Sequence, residues 1–325
     1  MKKLKLGGNN ILLAITVVLF IVMYLGGCII YADKGFTHLQ TFLNVLINNA
    51  GLIAVASGMT CVMLTGGIDI SVGSLIAMDC MFLAVGMEQW GMSSPVLMIL
   101  VLVIGIVFGM VQGYCVAYLE IQPFIVTMAG MFFARGMTAV ICKDQVSIVS
   151  DKLFTAISNM KISIPFGGYT NKKGIYQVPF IRPTVVVAKF GRSIYAVGGN
   201  QVSATLMGLN VRRTKLLTYT LCSLLTSIGG ICYCLNTMCG TTTQATGLEM
   251  DAISSSVIGG TLLTGGVGNV LGSLVGVFIN GTISTLVKSN GKLVSSWANI
   301  ITAILLCFFI LLQAIFAKIK ERKKA

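Results

Sequence analysis

Charge is what this sequence has least of. Asp, Glu, Lys and Arg make up 10% of its 325 residues, where a soluble domain carries about 25%. That scarcity, together with long apolar runs, excludes a soluble protein with a large core, because such runs have no soluble use. Histidine occurs once, at His38, so a His-based nucleophile–base pair is excluded elsewhere. The cysteine doublet Cys232 to Cys234 is not a C-x-x-C, and no metal site is expected. No G-x-x-x-x-G-K-[ST] occurs, so the chain cannot cradle ATP by itself. An ion-coupled carrier would call for paired intramembrane acids, and Asp79 alone gives it little support.

What is present is hydrophobic, 55% of all residues at a mean hydropathy of +0.90. A bilayer crossing takes roughly 20 apolar residues, and apolar segments fall at 11–31, 44–65, 72–87, 96–119, 124–142, 216–235, 252–264, 269–287 and 298–317. The expectation is an all-α polytopic membrane protein of about nine or ten transmembrane helices, forming a single transmembrane domain over residues 1–325. Most of the ten cysteines lie inside these runs, where they act as small apolar residues. The net charge of +13 does not point to nucleic acid, because the basic residues flank apolar runs and form no extended basic face. "MKKLKL" precedes the first span and "KIKERKK" follows the last, placing both termini in the cytoplasm by the positive-inside rule. Residues 11–31 read as a retained anchor, too long for a signal peptide and without a cleavage pattern.

Counting crossings from a cytoplasmic N-terminus makes 143–180 an extracytoplasmic cap. The next basic block, 189–215, should be cytoplasmic, yet only "VPFIRPTVVVAKF" is available to cross between them. That is about a dozen residues, roughly 18 Å as a helix against about 30 Å of hydrocarbon, and it contains Arg182, Pro179 and Pro183. A severely shortened sixth span is expected, which leaves open whether transport is impaired.

Two glycine-broken inserts stand 199 residues apart, "TGGIDISVGSL" from Thr65 and "TGGVGNVLGSL" from Thr264. They supply Gly66, Gly67, Asp69, Ser71 and Gly73 in one half and Gly265, Gly266, Gly268 and Gly272 in the other. Paired glycine-interrupted segments point to a transporter built from two related halves with broken short helices; the plainer alternative is a pair of tight turns between packed helices. Asp69, near the membrane interface by the count, is expected to cap or orient a helix. Arg135 is an intramembrane cation and so a pathway candidate, unless it snorkels or pairs with an acid such as Asp79. Asn48 and Asn49, read as opening the second segment, and Thr127, Phe132 and Phe133 along the fifth offer amides, hydroxyls and aromatics to a passing substrate; interhelical hydrogen bonds and core aromatics are their alternative roles. Gly198, Gly199 and Asn200 form a turn and helix N-cap, followed by a short helix with Ala204 and Gly208 on one face.

The blocks "GMTCVMLTGGIDISVGSLIAM" (58–78), "QPFIVTMAGMFFARGM" (122–137), "FGRSIYAVGGNQVSATLMGLNVRRTK" (190–215) and "DAISSSVIGGTLLTGGVGNVLGSLVGV" (251–277) together resemble the monosaccharide permeases of ATP-binding-cassette importers, the ribose, xylose, arabinose and galactose group, and most of all its galactofuranose-type members. The resemblance implies a multi-pass subunit of the bacterial inner membrane that is not itself an enzyme and carries no cofactor. ATP would be bound and hydrolysed by a partner ATPase subunit, with 189–215 as the coupling segment. Further partners would be a second permease subunit in a homo- or heterodimer, an extracytoplasmic sugar-binding protein and membrane lipid, with no nucleic acid. A related importer for a non-sugar small molecule remains an alternative.

Overall fold

A computed structural model describes residues 8–163, 168–170, 176–177, 179–181, 210–291, 293–294 and 296–322. Among these, the helices are α1 (Gly8–Ile30), α2 (Leu39–Asn48), α3 (Ala50–Leu64), α4 (Val72–Glu88), α5 (Ser94–Ala117), α6 (Pro123–Ile141), α7 (Lys152–Asn159), α8 (Val211–Thr237), α9 (Leu248–Ile258), α10 (Val270–Asn290) and α11 (Ser296–Arg322). Strands among the described residues are two-residue pairs, β1 (Val146–Ser147) with β6 (Cys239–Gly240), β2 (Ile162–Ser163) with β5 (Phe180–Ile181) and β3 (Tyr169–Thr170) with β4 (Tyr176–Gln177). Six of the described helices are long and apolar enough to cross a membrane, or seven when α2 and α3, bent by 55° at their junction, are counted together as one span. The protein is an all-α polytopic membrane protein.

Helix α3 is the axis of the bundle, with every residue from Ala50 to Met63 buried. A helix apolar all round has to be covered on all sides, and α8, α9 and α10 supply that cover. The packing of α5 on α8 depends on Gly105, Gly109 and Gly113, spaced so that they share one helix face. A Cβ on Gly109 would lie 2.7 Å from Thr220 Cα, and one on Gly113 would lie 2.8 Å from Leu216 O. Small residues of this kind let two backbones approach closely in a membrane, where dispersion replaces the hydrophobic effect as the associating force. The pairing is antiparallel, since higher numbers on α5 meet lower numbers on α8. An ion pair of Arg212 with Glu120 at 3.0 Å marks the end where α5 finishes and α8 begins.

At the other end, the described residues between α6 and β5 form a cap. Glu88, the last residue of α4, accepts from Val149 N and Ser150 N at 2.6 and 2.7 Å. Ser158 Oγ donates to Leu235 O at 2.7 Å, and Phe180 N donates to Gln40 Oε1 at 2.8 Å. The ends of α2, α4 and α8 are thereby held beneath one small structure. Phe180 thus lies at the cap end, whereas Asn210, which caps α8 through Arg213 N at 3.0 Å, lies at the opposite end. The shortened sixth span, 178–190, lies outside the described residues except for Pro179, Phe180 and Ile181.

Two expected segments differ in extent. The segment expected at 216–235 begins earlier, at Val211, because Asn210 supplies an N-cap. The segment expected at 252–264 is helical only over Leu248–Ile258, 11 residues or about 16 Å, because Gly260, at φ +93°, stops it short of a full crossing.

Asp151 holds the cap on. Its carboxylate accepts from Phe154 N at 2.7 Å as the N-cap of α7, and from Ser94 N and Ser94 Oγ at 3.0 and 3.1 Å at the start of α5. Burial works to raise its pKa, and the donors from Phe154 and Ser94 more than offset that, holding it below the usual carboxylate value. A group with a depressed folded pKa contributes stability above its unfolded pKa and loses it as pH falls through the folded value. Asp151→Ala is expected to cost about 1 kcal/mol at neutral pH, and to flatten the acid side of the stability curve. Thermal unfolding in detergent from pH 7 to pH 3 is the measurement; equal midpoints for both proteins at neutral pH would refute the tie.

Candidate functional site

The two glycine inserts meet. Gly266 N donates to Leu64 O at 2.9 Å, and Gly66, Gly265 and Gly266 have φ of +78°, +82° and +75°. A Cβ on Gly265 would lie 2.8 Å from Gly66 N and 3.0 Å from Leu64 O. Glycine is needed there twice over, for a left-handed backbone and for the approach of one turn to the other. The C-terminal ends of α3 and α9 therefore face each other, so the two halves run in the same direction. Gly272 lies directly against Gly259 O and Gly276 against Ser255 O, while a Cβ on Gly268 would lie 2.8 Å from Thr261 Cγ2. Thr60 Oγ1 hydrogen-bonds Ser273 Oγ at 2.6 Å and Ser256 Oγ at 3.2 Å, tying α3, α9 and α10 together at this level.

Breaking a helix at membrane depth frees backbone groups that lipid cannot satisfy. Neighbouring helices answer them. At the end of α9, Thr16 Oγ1 of α1 donates to Ile258 O at 2.7 Å, and Gln313 Nε2 of α11 donates to Val257 O at 3.0 Å. In the first insert, Thr127 Oγ1 of α6 donates to Ile68 O at 3.3 Å.

From Gly67 to Ser71 the chain is neither helix nor strand and runs inside the bundle, with Asp69, Ile70 and Ser71 all buried. Gly67 lies against the Tyr219 hydroxyl. Asp69 is fully buried beside Cys222, about 16 Å along α8 from its start. This is deeper than the interface position counted from the sequence, because α3 ends and the insert turns back within the bundle beside α8. Asp69 Oδ1 accepts from Ser71 N and Ser71 Oγ at 2.9 and 2.6 Å, and Gln112 Nε2 donates to Ser71 Oγ at 3.0 Å. These contacts orient the first turn of α4. One turn on, Gly73 lies against the Glu249 carboxylate and Ala245 O.

Arg135 does not pair with Asp79, which faces Gly230 and Ser227 on α8. Its Nη1 donates to Thr242 O and Gln244 O at 3.0 and 2.8 Å, gripping the loop between β6 and α9. Thr127 and Arg135 stand on the inward part of α6, whereas Phe132 and Phe133 are 64% and 60% exposed on its bare side. Asn48 and Asn49 do not open the second segment, which reaches back to Leu39; they sit at the bend between α2 and α3. There Asn49 Nδ2 donates to Val45 O and Asn236 Nδ2 to Ile47 O, both at 2.8 Å. Asn49 packs against Gly281 of α10, apart from the contacts of Arg135. Gly198, Gly199, Asn200, Ala204 and Gly208 lie outside the described residues. Gln244, Glu249 and Tyr219 were not expected from the sequence; the polar run "TTTQATGLE" between two apolar segments was the available signal for the first two.

Residues 41–310 match the family described as "Branched-chain amino acid transport system / permease component". The chain belongs to this permease family. Among curated relatives, the inner membrane ABC transporter permease protein YjfF of Escherichia coli is 40% identical over 94% of this permease and 92% of its own length. The fructose import permease protein FruG of Bifidobacterium longum is 33% identical over 99% and 96%. The ribose import permease protein RbsC of Escherichia coli is 33% identical over 78% and 79%. No solved structure matches the chain significantly. The matched range takes in α2 to most of α11, and so both glycine inserts of the permease.

Replacing Asp69 separates orientation of α4 from simple space filling. Asp69→Leu leaves Ser71 N unanswered in the interior, at a cost of about 1–3 kcal/mol, and should sharply reduce the monodisperse protein recovered by size-exclusion chromatography. Asp69→Asn keeps an acceptor and should recover most of it. Equal recovery for both would show that the hydrogen bonds to Ser71 are dispensable.

Proposed function

We propose that this chain is the membrane-spanning permease subunit of an ATP-driven sugar importer, galactofuranose-like or other monosaccharide in preference. The observation that carries the reading is its similarity to a fructose import permease over 99% of its length, with a ribose import permease also related over most of the chain. The sequence holds no phosphate-cradling G-x-x-x-x-G-K-[ST] of its own, so the energy comes from partner ATPase subunits. A second permease subunit completes the path, and an extracytoplasmic binding protein selects and delivers the sugar. The assembly sits in the bacterial inner membrane with both termini and the coupling segment 189–215 on the cytoplasmic side and the 143–180 cap outside. In support, the sequence has basic flanks, which the positive-inside rule assigns to the cytoplasm, and Glu88 with its cap contacts and the Arg212–Glu120 ion pair occupy opposite ends of the bundle.

Orientation is tested by single-cysteine variants of a cysteine-free chain and an impermeant thiol reagent. Met160→Cys should label from outside and Thr205→Cys should not; the reverse would overturn the sidedness. Function is tested in proteoliposomes holding the permease, its ATPase and its binding protein, with ATP-dependent uptake of ribose, fructose, xylose and galactofuranose measured against leucine. Uptake of leucine alone would move the reading to a non-sugar importer.

The coupling segment is tested by bulk on one face. If Ala204 and Gly208 seat against the ATPase, Ala204→Trp or Gly208→Trp introduces overpacking of about 1–3 kcal/mol or more and should abolish co-purification of the ATPase. Thr205→Trp, off that face, should leave it largely intact. Equal recovery across the three variants would remove the segment from the docking surface.

A further inference from the structure

The repeat that relates the two halves also shows where they differ. With the 199-residue offset of the inserts, α3 at Ala50 corresponds to Glu249, one residue into α9, and α2 corresponds to residues 238–247. In the first half that stretch is a helix. In the second, residues 241–247 are not helical and form a polar loop, "TTTQATG", that enters the bundle between α4, α6 and α9. Ala245 at φ +54° and Gly247 at φ +88° keep it from continuing as a helix, and a left-handed non-glycine residue persists only where its surroundings hold it.

Two side chains hold it. Gln244 uses both ends of its amide, accepting from Thr241 N at 3.0 Å and Thr241 Oγ1 at 3.2 Å and donating to Thr237 Oγ1 at 2.9 Å and Cys239 O at 3.2 Å. Arg135 holds the loop from α6 through Thr242 O and Gln244 O. Both of those bonds use Nη1, so Nε and Nη2 make none among the described residues. The facing acid is similarly unspent. Glu249 Oε1 accepts from Gly247 N at 3.3 Å, but Oε2 is buried and has no hydrogen-bond partner among the described residues. Arg135 and Glu249 interact electrostatically without closing an ion pair, the only one among the described residues being Arg212–Glu120. Thr243 and Thr246 are exposed on the same loop, and a Cβ added to Gly247 would meet nothing within 4 Å.

An intramembrane acid and base held near each other yet unpaired is an expensive arrangement for a structural element. It suits a transient polar guest. A sugar hydroxyl is both donor and acceptor, so it can accept from a guanidinium while donating to a carboxylate. We propose that Arg135 and Glu249, with the hydroxyls of Thr243 and Thr246, form a hydroxyl-binding station for the sugar on the translocation path, with the 241–247 loop as its wall. The proposal rests on the sugar-permease reading. Few contacts and exposed threonines make the station weak, which a transport path requires, since the guest has to leave.

The test uses the complete importer in proteoliposomes, with whichever of ribose, fructose, xylose and galactofuranose the unaltered protein imports, and the set of its monodeoxy analogues. Glu249→Gln and the double variant Thr243→Val/Thr246→Val are compared with the unaltered protein. Glu249→Gln should reduce uptake of the parent sugar at least tenfold. For one particular deoxy analogue, which lacks the hydroxyl that Glu249 receives, the variant and the unaltered importer should differ by less than threefold. The threonine variant should show the same pattern for a different hydroxyl, and its exposed positions keep the test readable if Glu249→Gln fails to assemble with the ATPase. Equal proportional losses for the parent and every analogue, or no loss at all, would overturn the station while leaving the sugar reading in place. An unaltered importer that moves none of the four sugars would overturn the sugar reading and the station with it.

Discussion

The hydrogen bond from Gly266 N to Leu64 O joins the two glycine turns, and the arrangement of both halves of the chain depends on that contact. It brings the ends of α3 and α9 together, and α10 starts beside the joined turns, with Gly272 against Gly259 O, whereas α4 starts deeper, with Gly73 against Glu249 at the other end of α9. A side chain at Gly265 would intrude on the Gly66 backbone and would also have to adopt a left-handed conformation, which costs of order 1–3 kcal/mol for other residues. Two short glycine turns thus determine that the halves are parallel copies packed on each other, with α3 enclosed at the centre.

The same breaks create the molecule's main physical difficulty, free backbone groups at membrane depth, and its solution explains many of the polar residues. Thr16, Gln313, Thr127 and Asn236 each donate to a carbonyl exposed by a break or bend. Because these donors come from α1, α11, α6 and α8, satisfying the broken helices also ties peripheral helices to the core. Arg135 and Gln244 extend this pattern to the 241–247 loop. There Arg135 Nε and Nη2 and one carboxylate oxygen of Glu249 are left without hydrogen-bond partners among the described residues.

Much of this was legible in the chain. Apolar runs of span length mark the long helices, since a lipid-facing helix has no other composition available to it. The recurrence of T-G-G and G-S-L disclosed the two halves. Less was legible at the site. Asn48 and Asn49 looked like the opening of a segment and proved to be its bend, because the α2 residues before them are too mixed in polarity to register as membrane-spanning.

The sequence by itself determined that the chain lives in a membrane and that it has two related halves broken at glycine, because these follow from composition and local motifs. Only the tertiary structure decided that the two inserts touch, that Asp69 lies well inside the bundle, and that Arg135 holds a loop more than 100 residues away along the chain. Each of these depends on which helices lie side by side and at what height, and the period of a single helix carries no information about either.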